Sequence, residues 1–174
     1  MEQKLDILAF AAHPDDAELS CSGTLMKQIE LGNKVGIVDL TQGELGSRGS
    51  KEIRSSEAAE ASKIMGIHAR ENLKLADGFF LNDEVTKLKI IEQIRRFRPK
   101  IVLANAISDR HPDHARASKL VSEACFLAGL MKIETTWDGI IQKAHRPEVV
   151  YHYIQDYHIE PDFVVDVTPF YERK

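Results

Sequence analysis

Two short motifs carry side chains that can bind a metal ion. The first is His13-Pro14-Asp15-Asp16, which follows the apolar run 5–12. Pro14 fixes its own φ angle and disfavours a helical conformation at His13, so the chain turns sharply as it leaves this run. In such a turn the side chains of His13 and Asp16 can point at one centre, and Asp15 between them can face the same cavity.

The second motif is His111-Pro112-Asp113-His114, which repeats the X-Pro-Asp-X pattern and follows the apolar run 100–107. A third ligand from this motif would complete a set of two histidines and one carboxylate. Three nitrogen and oxygen ligands with a fourth position left to water are typical of catalytic zinc, and Fe(II) suits the same set. One carboxylate leaves the site with a net positive charge, which lowers the pKa of a bound water towards about 7.

The elements that position these motifs alternate between apolar strands and amphipathic helices. Strands are predicted at 5–12, 34–40, 72–75, 100–107, 148–154 and 163–167, and helices at 17–31, 53–65, 83–97 and 113–132. Residues 41–50 are predicted to form a loop, residues 134–147 an irregular segment, and Gly66 a helix cap. This alternation predicts an α/β fold, a Rossmann-like doubly wound and mostly parallel sheet with helices on both faces.

The predicted strand order brings the two motifs together. Right-handed crossovers favour the order 3-2-1-4-5, in which strands 1 and 4 are neighbours. Ligands bind in the crevice between the carboxyl ends of such a pair, and one motif follows each of these two strands. Taken singly, Asp15, Asp16 and Asp113 fit first-turn acids that complement a helix dipole. That interpretation does not explain two clusters at adjacent strand ends, so the metal site is the stronger hypothesis.

Length and composition bound the remaining possibilities. The 174 residues suit one domain, 1–174, and their 43% hydrophobic and 29% charged content is typical of a soluble globular protein. A net charge of −4, with scattered lysine and arginine, argues against nucleic acid or a membrane surface as a partner.

Cys21 and Cys125 fall in predicted helices, which favours buried thiols in a reducing compartment. The first apolar run is too short to span a bilayer, so we expect the cytoplasm.

The sequence resembles the PIG-L/LmbE family of zinc-dependent N-deacetylases. Two motifs carry this resemblance, AHPDD at 12–16 and HPDH at 111–114. One branch of the family, which deacetylates N-acetylglucosaminyl-malate in bacillithiol synthesis, also has segments similar to LTQGELGSRGSKEIRSSEA at 40–58 and YHYIQDYHIEPDFVVDVT at 151–168. Family members run several tens of residues further, so the resemblance implies that the C-terminal part of the family fold is missing here.

The resemblance implies a role for each motif residue. His13, Asp16 and His114 are similar to the metal ligands of the family, which hold one zinc ion per chain. Asp15 resembles the general base that takes a proton from the attacking water.

Two further roles are implied in the second motif. His111 resembles the residue that polarises the oxyanion or protonates the leaving amine, and Asp113 resembles the acid that orients and charges it. A carboxylate beside an imidazole favours the imidazolium form, so we expect His111 to be largely protonated.

The loop after the second strand is the predicted substrate clamp. Glu44 is a candidate acceptor for sugar hydroxyls, and Arg48 and Arg54 are candidates to grip a substrate carboxylate. The resemblance implies a contact with malate near Arg54. The ordinary alternative is that both arginines are merely solvated. The resemblance also implies a small-molecule sugar substrate and a homo-oligomer, with a hexamer as the specific expectation.

Several other functions fit parts of the sequence. The substrate can instead be another N-acetylglucosamine compound, such as a chito-oligosaccharide. A magnesium-dependent phosphatase could use Asp15 and Asp16, but two histidines at the centre count against that hard cation. A non-catalytic nucleotide-binding module fits the strand-loop-helix opening, although the first loop lacks the G-x-G-x-x-G pattern. The chain can also be an inactive fragment of the same fold.

Overall fold

A parallel sheet of five strands forms the centre of the protein in a computed structural model, which describes residues 4–47 and 49–174. The strands of the protein are β1 (Ile7–Ala11), β2 (Val35–Thr41), β3 (Ala69–Leu75), β4 (Ile101–Ala104), β5 (Thr136–Trp137), β6 (Ile140–Ile141) and β7 (Val149–His152). The five-stranded sheet has the order β3-β2-β1-β4-β7, and every neighbouring pair in it is parallel. This arrangement confirms the predicted order, with β7 as the fifth strand of the sheet.

Helices cover both faces of the sheet. They are α1 (Asp16–Glu30), α2 (Lys51–Met65), α3 (Glu84–Phe97) and α4 (Pro112–Ala128), followed by a short 3-10 helix (Thr168–Phe170). Strand β1 is fully buried because Leu8 and Phe10 pack into the core beneath α3 and α4, while Ile7 and Ala9 pack against α1. Successive side chains of a strand alternate between faces, so a nearly continuous apolar run is needed for burial on both.

Typical capping residues lie at the ends of α2 and at the start of α3. Ser50 and Asp83 accept hydrogen bonds from the backbone N–H groups of Ile53 and Thr86, at the starts of α2 and α3. Gly66 ends α2 in a left-handed conformation with a φ of 79°, as predicted. The Asp83 and Gly66 caps set the bounds of α3 and α2 within two residues of the prediction.

The structure corrects three local predictions. The segment 134–147 contains the antiparallel hairpin of β5 and β6, whose Asp138-Gly139 turn has two positive φ angles. Helix α4 ends at Ala128 instead of residue 132. Residues 163–167 do not form a strand, and Phe163 and Val164 are mostly exposed. The ring of Phe163 contacts that of Tyr151 on the edge strand β7, but within the described part of the chain the backbone of this segment pairs with no strand.

Burial of the cysteines agrees with the prediction. Cys21 on α1 and Cys125 on α4 are free and buried, and burial raises the pKa of each thiol to about 12. Over residues 4–47 and 49–174, no helix combines the length and the apolar character that a membrane crossing requires.

Candidate metal centre

The two histidine motifs meet at the carboxyl ends of β1 and β4, as the strand order requires. The ring centres of His13 and His114 lie 5.5 Å apart, and those of His13 and His111 lie 4.7 Å apart. One potential ligand atom from each of the three rings lies within 4.8 Å of the others. Residues separated by about 100 positions therefore face one small volume.

Asp16 joins this group from the first position of α1. Its Oδ1 atom lies 3.1 Å from Nε2 of His114, and its Oδ2 atom lies 3.5 Å from Nδ1 of His13. The structure thus brings together the predicted set of two histidines and one carboxylate. The side-chain contacts link Asp16 to His13 and His114, so we retain these three residues as the predicted ligands and His111 as their neighbour.

The nitrogen atom of each predicted ligand histidine that faces away from Asp16 meets a carboxylate. Nε2 of His13 lies 3.0 Å from Asp77 and 3.3 Å from Asp113, and Nδ1 of His114 lies 3.0 Å from Asp109. Carboxylates in this position fix the tautomer and the ring orientation of metal-binding histidines. They leave Nδ1 of His13 and Nε2 of His114 as the atoms that face the shared centre.

The carboxylate of Asp113 contacts a different histidine from the one that was predicted. Its fully buried carboxylate contacts Nε2 of His13, accepts a hydrogen bond of 2.8 Å from the backbone N–H of Gly78, and pairs with Arg116. The sequence resemblance assigned this carboxylate to His111. Because Asp113 lies in the first turn of α4, its side chain turns towards β1, and only its backbone N–H reaches Nδ1 of His111, at 3.3 Å.

The environment of His111 favours its neutral imidazole form. Burial and the positive charges of His13 and His114 lower its pKa below the ordinary histidine value. The charge of Asp113 raises this pKa but does not outweigh the lowering effects, so the shift is opposite in direction to the one that the expected imidazolium requires. Since Nδ1 of His111 accepts a hydrogen bond at the start of α4, the proton of the neutral ring resides on Nε2.

Charge at the centre fits a divalent cation. Burial lowers the pKa of His13, but the carboxylates of Asp16, Asp77 and Asp113 outweigh it and raise this pKa to about 9. Burial raises the pKa of Asp16, yet His114 and His13 hold it well below its usual range. Buried carboxylates need compensating positive charge. A divalent ion would supply that positive charge. Two neutral imidazoles and one carboxylate are donors that zinc accepts.

Asp15 lies beside the centre in an unusual backbone conformation. Its φ angle of 126° is rare for a residue with a side chain and places it at the cap position of α1. Arg54 from α2 holds this turn, because its guanidinium donates to Oδ2 of Asp15 at 3.0 Å and to the carbonyl oxygen of Pro14 at 2.9 Å. Burial raises the pKa of Asp15, and the charge of Arg54 opposes this shift.

A cavity of about 280 Å³ opens over these residues. It is lined by His13, Asp15, Leu45, Gly46, Arg54, Asp77, Gly78 and His111. A larger groove of about 540 Å³ lies elsewhere, between α1 and the C-terminal segment, and is mainly apolar. The smaller cavity is the candidate active site, because it contains the convergent ionisable groups.

The predicted substrate clamp is only partly at this cavity. Glu44 accepts hydrogen bonds from the backbone N–H groups of Asp77 and Gln42, at 2.9 and 3.2 Å, and is not among the lining residues. Its carboxylate therefore ties the loop after β2 to Asp77. Arg54 lines the cavity, and Arg48 lies outside the described residues.

Four residues near the predicted ligands were missed by the sequence interpretation. They are Asp77, Asn105, Asp109 and Gln155, which all contact a predicted ligand through their side chains. Asn105 carried a usable signal, because it is a polar residue in the apolar run 100–107. Gln155 carried no signal except the resemblance of the segment 151–168, because no periodic pattern marks the residues after β7.

Comparison with known proteins places the chain in a family. The family model for PIG-L, described as GlcNAc-PI de-N-acetylase, matches residues 8–125. The chain is 34% identical over 127 residues to an uncharacterized deacetylase, YaiS of Escherichia coli K12, covering 68% of this chain and 67% of that protein. It is 28% identical over 178 residues to diacetylchitobiose deacetylase of Thermococcus kodakarensis, covering 97% of this chain and 66% of that protein.

A solved structure has the same fold. The conserved protein TT1542 from Thermus thermophilus superposes with a TM-score of 0.89 at 41% identity, covering 97% of this chain and 74% of that one. The chain belongs to the PIG-L family. It spans about two thirds of the length of the two curated relatives named above.

Proposed function

We propose that this protein is a zinc-dependent N-deacetylase that hydrolyses the N-acetyl group of an N-acetylglucosamine conjugate and releases acetate. The observation that carries the proposal is the convergence of His13, Asp16 and His114 next to a cavity that His13 and Asp15 line. When bound, zinc would polarise the acetyl carbonyl and make an attacking water more acidic.

Asp15 is the proposed general base. Its carboxylate lines the cavity, and its raised pKa suits a group that must accept a proton. Arg54 holds Oδ2 of Asp15, which leaves Oδ1 to take the proton from water. The backbone strain at Asp15 is consistent with this role, because strained residues persist where the surrounding structure holds a functional group in place.

His111 is the proposed donor to the developing oxyanion. Its Nδ1 atom is occupied by the backbone N–H of Asp113, so its Nε2–H group is the one free to donate. An imidazole N–H group aimed at the carbonyl oxygen would stabilise the negative charge that forms there. Of the two roles considered for His111, this geometry favours polarisation of the oxyanion over protonation of the leaving amine.

The proposed substrate is N-acetylglucosaminyl-malate, as in bacillithiol biosynthesis in the cytoplasm. Support comes from the similarity of residues 40–58 and 151–168 to the branch that acts on this compound. Arg54 supplies a guanidinium at the cavity that suits a carboxylate-bearing substrate. The diacetylchitobiose deacetylase among the relatives supports the wider class of N-acetylglucosamine substrates and makes a chito-oligosaccharide the alternative.

Acetate release tests the proposal directly. The purified protein would be assayed with N-acetylglucosaminyl-malate, N,N'-diacetylchitobiose and free N-acetylglucosamine, before and after removal of metal with a chelator. We expect turnover to be fastest with the malate conjugate, to disappear with the chelator, and to return when zinc is added. Preference for diacetylchitobiose would contradict the proposed substrate, and release of acetate that survives metal removal would contradict the mechanism.

A further inference from the structure

Asn105 is a buried amide that contacts a predicted metal ligand. It follows β4, has no exposed surface, and accepts a hydrogen bond of 2.9 Å from the backbone N–H of Ala12 through Oδ1. Because a backbone N–H can only donate, Oδ1 is fixed as the acceptor and Nδ2 must point the other way. Nδ2 donates to Oδ2 of Asp16 at 3.0 Å and to Oε1 of Gln155 at 2.9 Å.

The orientation of Gln155 follows from the same argument. Its Oε1 atom accepts from Asn105 and, at 3.2 Å, from the backbone N–H of Ala106. Nε2 of Gln155 therefore faces the metal centre, where it donates to Oδ1 of Asp16 at 3.1 Å and lies 3.5 Å from Nε2 of His114. Two backbone N–H groups thus determine how both amides face the centre.

These contacts hold both oxygen atoms of Asp16. Oδ2 accepts from the backbone N–H of His13 at 3.0 Å and from Asn105, which occupies both of its lone pairs. Oδ1 accepts a hydrogen bond from Gln155, and its other lone pair meets Nε2 of His114 at 3.1 Å, the contact that a cation bound between these two atoms would replace. The carboxylate is therefore held with one defined oxygen atom available to a cation.

We propose that Asn105 and Gln155 are positioning residues that preorganise Asp16 as a metal ligand. This inference rests on the proposed function, because it requires a metal ion at this centre. Gln155 belongs to the segment after β7, so it also connects the C-terminal part of the described chain to the metal site. Groups that orient metal ligands in this way typically change metal affinity by about 10- to 100-fold when removed.

Metal affinity of the Gln155→Met variant tests the inference. Methionine keeps the length and much of the volume of glutamine but cannot donate to Asp16. The dissociation constant for Zn²⁺ would be measured on metal-free protein by competition with a chromogenic chelator, together with the thermal midpoint of the metal-free protein. We expect the affinity to fall by about 10-fold or more.

Gln28→Met is the matched control. Gln28 is also half-buried, and its amide accepts a hydrogen bond from Asn33 near the end of α1. We expect this variant to bind Zn²⁺ as the original protein does. Loss of affinity in Gln155→Met alone would support the positioning role, whereas an affinity within twofold of the original protein would overturn it.

Two further outcomes are distinguishable. If Gln155→Met does not fold, the Zn²⁺ affinity of Gln155→Asn, whose side chain is one methylene shorter, is measured instead and judged by the same limits. If the original protein binds no Zn²⁺, both the proposed function and this inference fail. If the original protein binds Zn²⁺ and releases acetate while Gln155→Met retains full affinity, only this inference fails.

Discussion

Four carboxylates surround two imidazoles in a largely buried volume. They are those of Asp16, Asp77, Asp109 and Asp113. Isolated buried carboxylates are costly, and in the absence of a cation imidazolium ions would have to compensate for those that Arg116, the partner of Asp113, does not neutralise. A divalent ion removes this need, since it lets the imidazoles act as neutral ligands while their outer nitrogen atoms keep carboxylate partners. The residue types and their contacts are thus those of a metal site.

Among single residues, His111→Ala separates catalysis from metal binding. Removal of one oxyanion donor typically lowers kcat by about 10²- to 10³-fold. Because Nε2 of His111 is assigned to the substrate, we expect that loss with the metal content unchanged at one ion per chain. Kinetic assays and elemental analysis on the same preparation would measure both quantities. Loss of metal in proportion to activity would identify His111 as a ligand.

Arg54→Ala tests the two tasks that this side chain can perform. Its contacts with Asp15 and Pro14 predict a lower kcat on every substrate, because the general base loses its support. A direct contact between Arg54 and the malate carboxylate predicts, in addition, a raised KM for N-acetylglucosaminyl-malate but not for free N-acetylglucosamine. Steady-state kinetics on both substrates would separate these effects. Equal changes of KM on both would exclude the carboxylate contact.

Among the elements, α1 positions Asp16, because the helix begins at this residue in the turn that follows β1. Its position is fixed on one side by the sheet and on the other by the segment that contains Val167. Gly23 allows this close approach, since a Cβ atom at that position would lie 2.7 Å from Cβ of Val167. Packing of α1 against the C-terminal segment therefore helps to hold Asp16, a predicted metal ligand, in place.

Gly23→Ala tests this packing. Alanine gains about 0.8–1.0 kcal/mol over glycine in a helix, whereas overpacking costs typically about 1–3 kcal/mol. We expect the clash with Val167 to prevail and the free energy of unfolding to fall, as measured by chemical denaturation.

The neighbouring Ser22→Ala change is the control for Gly23→Ala. Ser22 is buried, and within the part of the chain that the structure describes its hydroxyl has no hydrogen-bond partner. Removal of an unsatisfied buried hydroxyl is expected to leave stability unchanged or to raise it. If Gly23→Ala were as stable as Ser22→Ala, the contact between α1 and Val167 would not constrain the helix.

Considered as a whole molecule, the protein should be more stable with metal than without it. A ligand that binds only the folded state adds about 2.7 kcal/mol at 100 times its dissociation constant. We expect thermal unfolding to shift to a lower temperature when a chelator is added and to recover with zinc. His13→Ala should show no such shift, because it lacks a ligand; a shift of equal size would place the metal elsewhere.

Much of the architecture could be predicted because it depends on patterns along the chain. Buried runs such as 5–12 and 100–107 indicate parallel strands, and right-handed crossovers then leave few possible orders. The meeting of His13 with His114 follows from that order.

The partner of Asp113 could not be predicted, because it depends on the direction of one side chain at the start of α4. Gln155 could not be predicted, because no periodic pattern marks the segment after β7. The expected homo-oligomer stays a prediction.

Anomalous X-ray diffraction at the zinc absorption edge tests the central claim most directly. We expect one peak per chain, bonded to His13, Asp16 and His114 at about 2.0–2.2 Å. Absence of a peak from a zinc-loaded and active preparation, or a peak bonded to His111 in place of His114, would contradict it.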